Sequence, residues 1–172
     1  MMKKDLIASV NQETGITNES VFNLCYNICN QEEENRFGGV FSCDTIPYEK
    51  FVNTPYFNII LNLAEIKKGE LNGHFVSIIG TPDVCIYIDP FGLPIASPKI
   101  RKFLSACKRT ILYNQKTIQQ ISSPYCGMYA ILFCVFFNKD SRKTKMYFDE
   151  QYEKNDQQCI IYIQQLIHEM LF

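Results

Sequence analysis

Three apolar runs follow one another in quick succession, Phe57 to Leu63, Phe75 to Ile79 and Val84 to Ile88. Each is short and rich in β-branched or aromatic residues, so each predicts a strand, and a chain built around them cannot be all-helical. Gly80-Thr81-Pro82-Asp83 is a turn-forming link, which makes the last two runs a hairpin. Asp89-Pro90-Phe91-Gly92 closes the second of these strands.

Helical patterns flank this block. From Ser20 to about Gln31, the apolar residues Val21, Leu24, Cys25, Ile28 and Cys29 fall on one stripe, with Asn18 or Ser20 as the expected cap. Phe37-Gly38-Gly39-Val40-Phe41 reads as a turn entering a short extended stretch, and Pro47 suits the first turn of a second helix. Ser97-Pro98 pairs a capping hydroxyl with a proline at the first helical position and opens a helix over Lys99 to Cys107. Thr110 to Tyr113 is a further expected strand. Cys126-Gly127 opens a strongly apolar helix ending near Asn138, and a terminal helix, about Asp156 to Met170, carries Ile160, Ile163, Leu166, Ile167 and Met170 on one face. The fold class that follows is α+β, a single domain over 1–172 with a central mixed or antiparallel sheet flanked by helices.

At 172 residues, 47% hydrophobic and 20% charged, the chain is long enough to bury a core without disulfide staples. Its longest apolar stretch, Met128 to Phe137, falls short of the ~18 residues that span a bilayer, so no membrane partner is expected. A net charge of −1 excludes a global basic field for nucleic acid, leaving only a local basic stretch from Lys99 to Arg109. There are eight cysteines, but the opening Met-Met-Lys-Lys-Asp lacks the apolar core of a secretory signal. Free thiols in a reducing, intracellular setting are the expectation. A zinc site is not expected, because Cys25 and Cys29 stand one helical turn apart, no CxxC occurs, and only His74 and His168 could add imidazole.

Thiol chemistry needs a nucleophile held as thiolate, a base, an orienter for that base, and donors for an oxyanion. Cys126 differs from the other cysteines in preceding a glycine at the start of a long buried helix, where the helix dipole and first-turn N–H groups favour a thiolate. Cys25, Cys29, Cys134 and Cys159 fall inside apolar helical patterns and read as core. Between two histidines, His168 reads as a helix-end surface residue, whereas His74 starts a strand after Asn72-Gly73, glycine there allowing close approach of another segment. Asp89 ends the partner strand of the hairpin, where it can reach the same rim and fix the imidazole tautomer. Gln119 and Gln120 both precede Cys126 closely enough to supply an amide to an oxyanion.

Taken together, Gly73-His74-Phe75, Tyr87-Ile88-Asp89-Pro90-Phe91-Gly92, Tyr113-Asn114, Ile118-Gln119 and Ser122-Ser123-Pro124-Tyr125-Cys126-Gly127 resemble the adenain-like cysteine proteases. These are the maturation proteases of adenoviruses, with relatives in virophages and Maverick/Polinton elements. The chain order His, acid, Gln, Cys carries the resemblance, which extends over about Phe37 to Phe137 and includes the glycine turn at Phe37 to Phe41 with Asp44 and Pro47.

The resemblance implies a compact adenain/Ulp-like thiol-protease fold with His74 as base, Asp89 as its orienter and Cys126 as nucleophile. It also favours Gln119 as the oxyanion glutamine, through an ungapped match of Ile118-Gln119. The related deconjugases of ubiquitin-like proteins use a six-residue gap, which selects Gln120. The family places tryptophan after the histidine; here Phe75 stands there, so packing over the imidazole is expected to differ.

The implied function is a viral or virus-like endopeptidase cleaving capsid and other virion precursor proteins, inside the host cell and within the virion. A ubiquitin-like-protein deconjugase is the alternative enzyme, and an inactive scaffold of the same fold the alternative of another class. Adenovirus proteases are stimulated by a peptide disulfide-linked to a cysteine ahead of the glutamine, and by DNA. For this chain, in which Cys107 is the nearest such cysteine, the expectation is a monomer that needs no cofactor, active without a covalent peptide and with at most a weak DNA effect.

Overall fold

The three apolar runs form the middle of the sheet. In the computed structural model, which describes residues 17–30, 35–65, 69, 73–138 and 152–171, they are β2 (Phe57–Asn62), β3 (Phe75–Gly80) and β4 (Val84–Ile88). β1 (Phe37–Ser42) and β5 (Thr110–Tyr113) complete a five-stranded sheet of order β1-β2-β3-β4-β5. β2, β3 and β4 pair antiparallel, while β1 joins β2, and β4 joins β5, in parallel. Parallel neighbours need a crossover, and two helices supply it: α2 (Tyr48–Val52) between β1 and β2, and α3 (Pro98–Ala106) between β4 and β5. The sheet is therefore mixed.

Every residue of β2 and β3 is buried, because both faces of the sheet are covered. Phe57, Ile59, Leu61, Val76 and Ile78 pack against Phe51 of α2 and Ile100, Phe103 and Leu104 of α3. On the other face, Ile60, Phe75 and Ile79 pack under α1 (Asn18–Cys29), α4 (Cys126–Asn138) and α5 (Tyr152–Leu171). Among the described strands, β5 at the sheet edge is the one exposed along its whole length. No helix among the described residues is long and apolar enough to cross a membrane.

Local signals account for most element ends. Ser97 caps α3, with its hydroxyl accepting from the Ile100 N–H, as its Ser-Pro start predicts. The cap of α1 is Thr17, whose Oγ1 accepts from Ser20 N at 3.2 Å, and not Asn18 or Ser20, both of which lie inside the helix. Phe37-Gly38 is not a turn but the start of β1, with a register irregularity between Phe37 and Gly39. The terminal helix begins at Tyr152, before the expected Asp156; Ile163, Leu166 and Ile167 lie on its buried stripe, and the Met170 side chain lies outside the described residues.

Candidate active site

β3 and β4 set the first half of the site. Their register pairs Ser77 with Ile88, so the residue before β3 and the residue after β4 emerge at the same end of the sheet. Those residues are His74 and Asp89. The His74 Nε2 and Asp89 Oδ1 stand 2.8 Å apart, with the His74 side chain 18% exposed and that of Asp89 only 1%.

Asp89 is fixed by more than the imidazole. Its Oδ1 also accepts from the Phe91 N–H at 2.7 Å, and Asn114 clasps its main chain, accepting from the Asp89 N–H at 2.8 Å and donating to the Asp89 carbonyl at 2.6 Å. The turn then presses against the segment ahead of the cysteine: the Pro90 carbonyl accepts from both Ile118 N and Gln119 N, at 2.9 and 3.1 Å, and Thr117 Oγ1 donates to the Phe91 carbonyl at 2.8 Å. Gly92 permits this approach. It has φ +66°, and a Cβ there would lie 2.7 Å from the Lys116 carbonyl carbon. At Gly73 a side chain would collide with Asn62 and Ala64 where the chain leaves β2, so the close approach made there is to that strand end.

Cys126 is the first residue of α4, and its helix hangs from the same strand that leads out of His74. Ser77 Oγ of β3 donates to the Ala130 carbonyl at 3.0 Å, and Asn58 Nδ2 of β2 donates to the Cys134 carbonyl at 3.1 Å. One turn separates Ala130 from Cys126, so the sheet that positions the imidazole also positions the sulfur. Cys126 is half-buried and acts on His74 by hydrogen bonding and charge. With Nε2 taken by Asp89, the ring nitrogen left for the thiol is Nδ1. The first turn of α4 carries no acidic side chain to oppose a thiolate.

These neighbours set the state of His74. Burial pushes the imidazole down, but the hydrogen bonds to Asp89 and Cys126 and the charges behind them outweigh it and hold its pKa at about 9. At neutral pH the ring is an imidazolium held between a carboxylate and the Cys126 sulfur.

The two glutamines differ. Gln119 is 0% exposed and its Nε2 donates to the Ser123 carbonyl at 2.8 Å and to Ser123 Oγ at 3.1 Å, so its amide closes the loop that leads to Cys126. Gln120 is half-buried on the same segment. His168 is exposed on α5, and Cys25, Cys29, Cys134 and Cys159 are buried.

Sequence reasoning passed over Phe91, whose ring stacks on His74 with centroids 4.6 Å apart and planes 21° from parallel. Phe75, which stands where the family has tryptophan, is buried in the core under α4, and the ring over the imidazole is that of Phe91. The signal was available, since Phe91 lies two residues after Asp89 in a turn that must fold back toward the hairpin end. Asn114 was quoted within a motif, but its clasp on Asp89 was not legible.

Among solved structures, the chain is similar to SUMO protease Ulp1 with its catalytic cysteine oxidised to a sulfinic acid, with TM-score 0.59 and 10% identity over 98% of this chain and 84% of that one. The fold is that of a Ulp1-like cysteine protease. AvrA delL154 with IP6 and CoA is also similar, with TM-score 0.53 and 12% identity over 92% of this chain and 67% of that one. No family model and no curated protein matches the sequence. In the Ulp1-like fold of this chain, His74, Asp89 and Cys126 converge at one end of the sheet, at the N-terminus of a helix buried against it.

Proposed function

We propose that this chain is a thiol peptidase in which Cys126 attacks a peptide or isopeptide carbonyl. The observation that carries this is His74 held between Asp89 and Cys126 at the start of α4. The thiolate adds to the carbonyl carbon, and the oxygen takes up the negative charge beside the Cys126 N–H and a glutamine amide. Collapse expels the amine, which takes its proton from His74, and leaves a thioester on Cys126. Water, losing a proton to His74, attacks the thioester; the carboxyl product departs, Cys126 returns as thiolate and His74 is again protonated.

The substrate reading supported by the motifs is an endopeptidase of capsid and other virion precursor proteins, acting in an infected cell and in the virion. The spacing of the Asp-Pro-Phe-Gly turn and the Tyr-Asn and Ile-Gln pairs supports it. A specific observation favours a deconjugase-like oxyanion geometry. The Gln119 amide is engaged by Ser123, while Gln120, half-buried on the same segment, stands at the six-residue gap of the deconjugases. The Ulp1-like fold is compatible with both substrates.

The test presents the purified protein with a candidate precursor protein and with a ubiquitin-like protein in isopeptide linkage, each followed by mass analysis. Wild type is expected to release products from one of them, and Cys126→Ala from neither while keeping its melting temperature. Cleavage that persists in Cys126→Ala sinks the proposal. So does a wild type that cleaves neither substrate and whose Cys126 reacts with iodoacetamide no faster than the buried thiols.

A further inference from the structure

The terminal helix lies beyond the part of the chain that carries the family motifs, yet it reaches the active-site segment. Asn155 and Asp156, on its first turns, are buried polar residues in a helix whose other buried positions are apolar. Asn155 Nδ2 donates to the Ile118 carbonyl at 2.9 Å. The Tyr129 hydroxyl of α4 donates to Asp156 Oδ1 at 2.8 Å and shares its one proton with the same carbonyl at 3.3 Å. Ile118 directly precedes the two glutamines.

The Ile118–Gln119 segment is thus gripped from two directions. The Pro90 carbonyl, next to Asp89, takes its two N–H groups, while Asn155 and Tyr129 take the Ile118 carbonyl. Pro90, with Phe91 and Ser123 on either side, ties this segment to the Asp89 turn and to its own loop. The grip on the Ile118 carbonyl ties it also to α5 and to α4, the helix that Cys126 begins. An oxyanion donor misplaced by about 1 Å loses much of its effect, since it must lie at ~2.7–3.1 Å from an oxygen that carries charge only in the transition state.

We propose that Asn155, with Tyr129, is a positioning residue for the oxyanion glutamine, making the terminal helix a working part of the active site. This rests on the peptidase reading above. Asn155 touches no reacting atom; it acts through the Ile118 carbonyl. Its loss therefore weakens transition-state stabilisation and leaves the His74–Cys126 pair and substrate binding intact.

The experiment measures Asn155→Leu, which keeps the size of the side chain but not the donor, and Tyr129→Phe, which removes one hydroxyl. Each is assayed for kcat and KM on a fluorogenic form of the substrate that the wild type cleaves, and for the rate of Cys126 alkylation by iodoacetamide, which builds no oxyanion. The expected result is kcat lower by about tenfold at unchanged KM, with alkylation at the wild-type rate. In a background where Gln119→Ala or Gln120→Ala has already lowered kcat, the Asn155 effect is expected to shrink toward nothing. Should Asn155→Leu fail to fold, Asn155→Asp, which keeps the shape and loses the donor, carries the same comparison. Wild-type kcat in both folded variants overturns the inference, as does a parallel fall in alkylation or an undiminished effect in the glutamine background. A wild type that cleaves neither candidate substrate, with Cys126 no more reactive than a buried thiol, overturns instead the peptidase reading on which the inference rests.

Discussion

His74 concentrates the electrostatics of the site in one ring. Its pKa of about 9 predicts a falling alkaline limb of kcat/KM centred near that pH, as the imidazolium that protonates the leaving amine is lost. Asp89→Asn removes both a hydrogen bond and a charge that raise this pKa. The expected result is a limb displaced to lower pH and a kcat reduced by about ten- to a thousandfold, with KM little changed. A pH–rate profile of the variant superimposable on wild type would reduce Asp89 to a turn residue. The same shift bears on stability. Because the folded-state pKa lies above the ordinary 6.5, the stabilisation is fully present below pH 6.5 and is lost as pH rises through about 9. Melting temperatures of wild type are therefore expected to fall over that interval, and those of Asp89→Asn to fall less. The pairing itself was legible in the sequence, since residues flanking a tight hairpin must emerge together. The stacking of Phe91 was not, because it depends on how the Asp89 turn folds back and not on strand alternation.

At the scale of elements, the segment Ile118–Ser123 decides which glutamine works. It has no regular structure, so its shape comes from the bonds to Pro90, to Ser123 and to α5. With Gln119 sealed against Ser123, Gln119→Ala is expected to lower the melting temperature, as buried hydrogen bonds of about 1 kcal/mol each are lost. Gln120→Ala is expected to leave melting unchanged and cut kcat by about ten- to a thousandfold at constant KM. Thermal unfolding and steady-state kinetics on the same two variants check this, and the reverse pattern restores Gln119 as the donor. The resemblance favoured Gln119 through its ungapped match, but the engagement of the Gln119 amide was not legible, because it rests on where the Ser123 carbonyl points. Helices and strands were legible from periodicity and caps. The parallel pairing of β1 with β2 and of β4 with β5 was not, since crossovers place residues by long-range packing, and the burial of Asn155 in α5 depends on a contact with Ile118 far away in sequence.

For the molecule as a whole, charge and thiol burial bear on whether the proposed peptidase needs an activator. Much of its basic stretch is engaged internally: Lys99 pairs with Glu65 at 2.6 Å, Arg101 donates to the Ile95 carbonyl, and Arg109 donates to the carbonyls of Thr54 and Pro55. Lys102 and Lys108 remain exposed, on a protein of net charge −1. Few phosphates can be neutralised by such a surface, so any DNA effect is expected to be small and to vanish as salt rises. Cys107, the thiol ahead of the glutamines, is 6% exposed at the end of α3. Its hydrogen bond to Cys85 and its burial both push its pKa up, so the thiolate that disulfide exchange requires is disfavoured. The expected outcome is that purified protein and its Cys107→Ser variant cleave a precursor peptide at similar rates without any added peptide or DNA. Both are measured at low and at physiological salt, with and without duplex DNA. An enzyme silent until a peptide couples covalently to Cys107 would show that the α3 end opens to admit a partner, and that the closed packing around Cys107 is the resting state of a protein awaiting its activator.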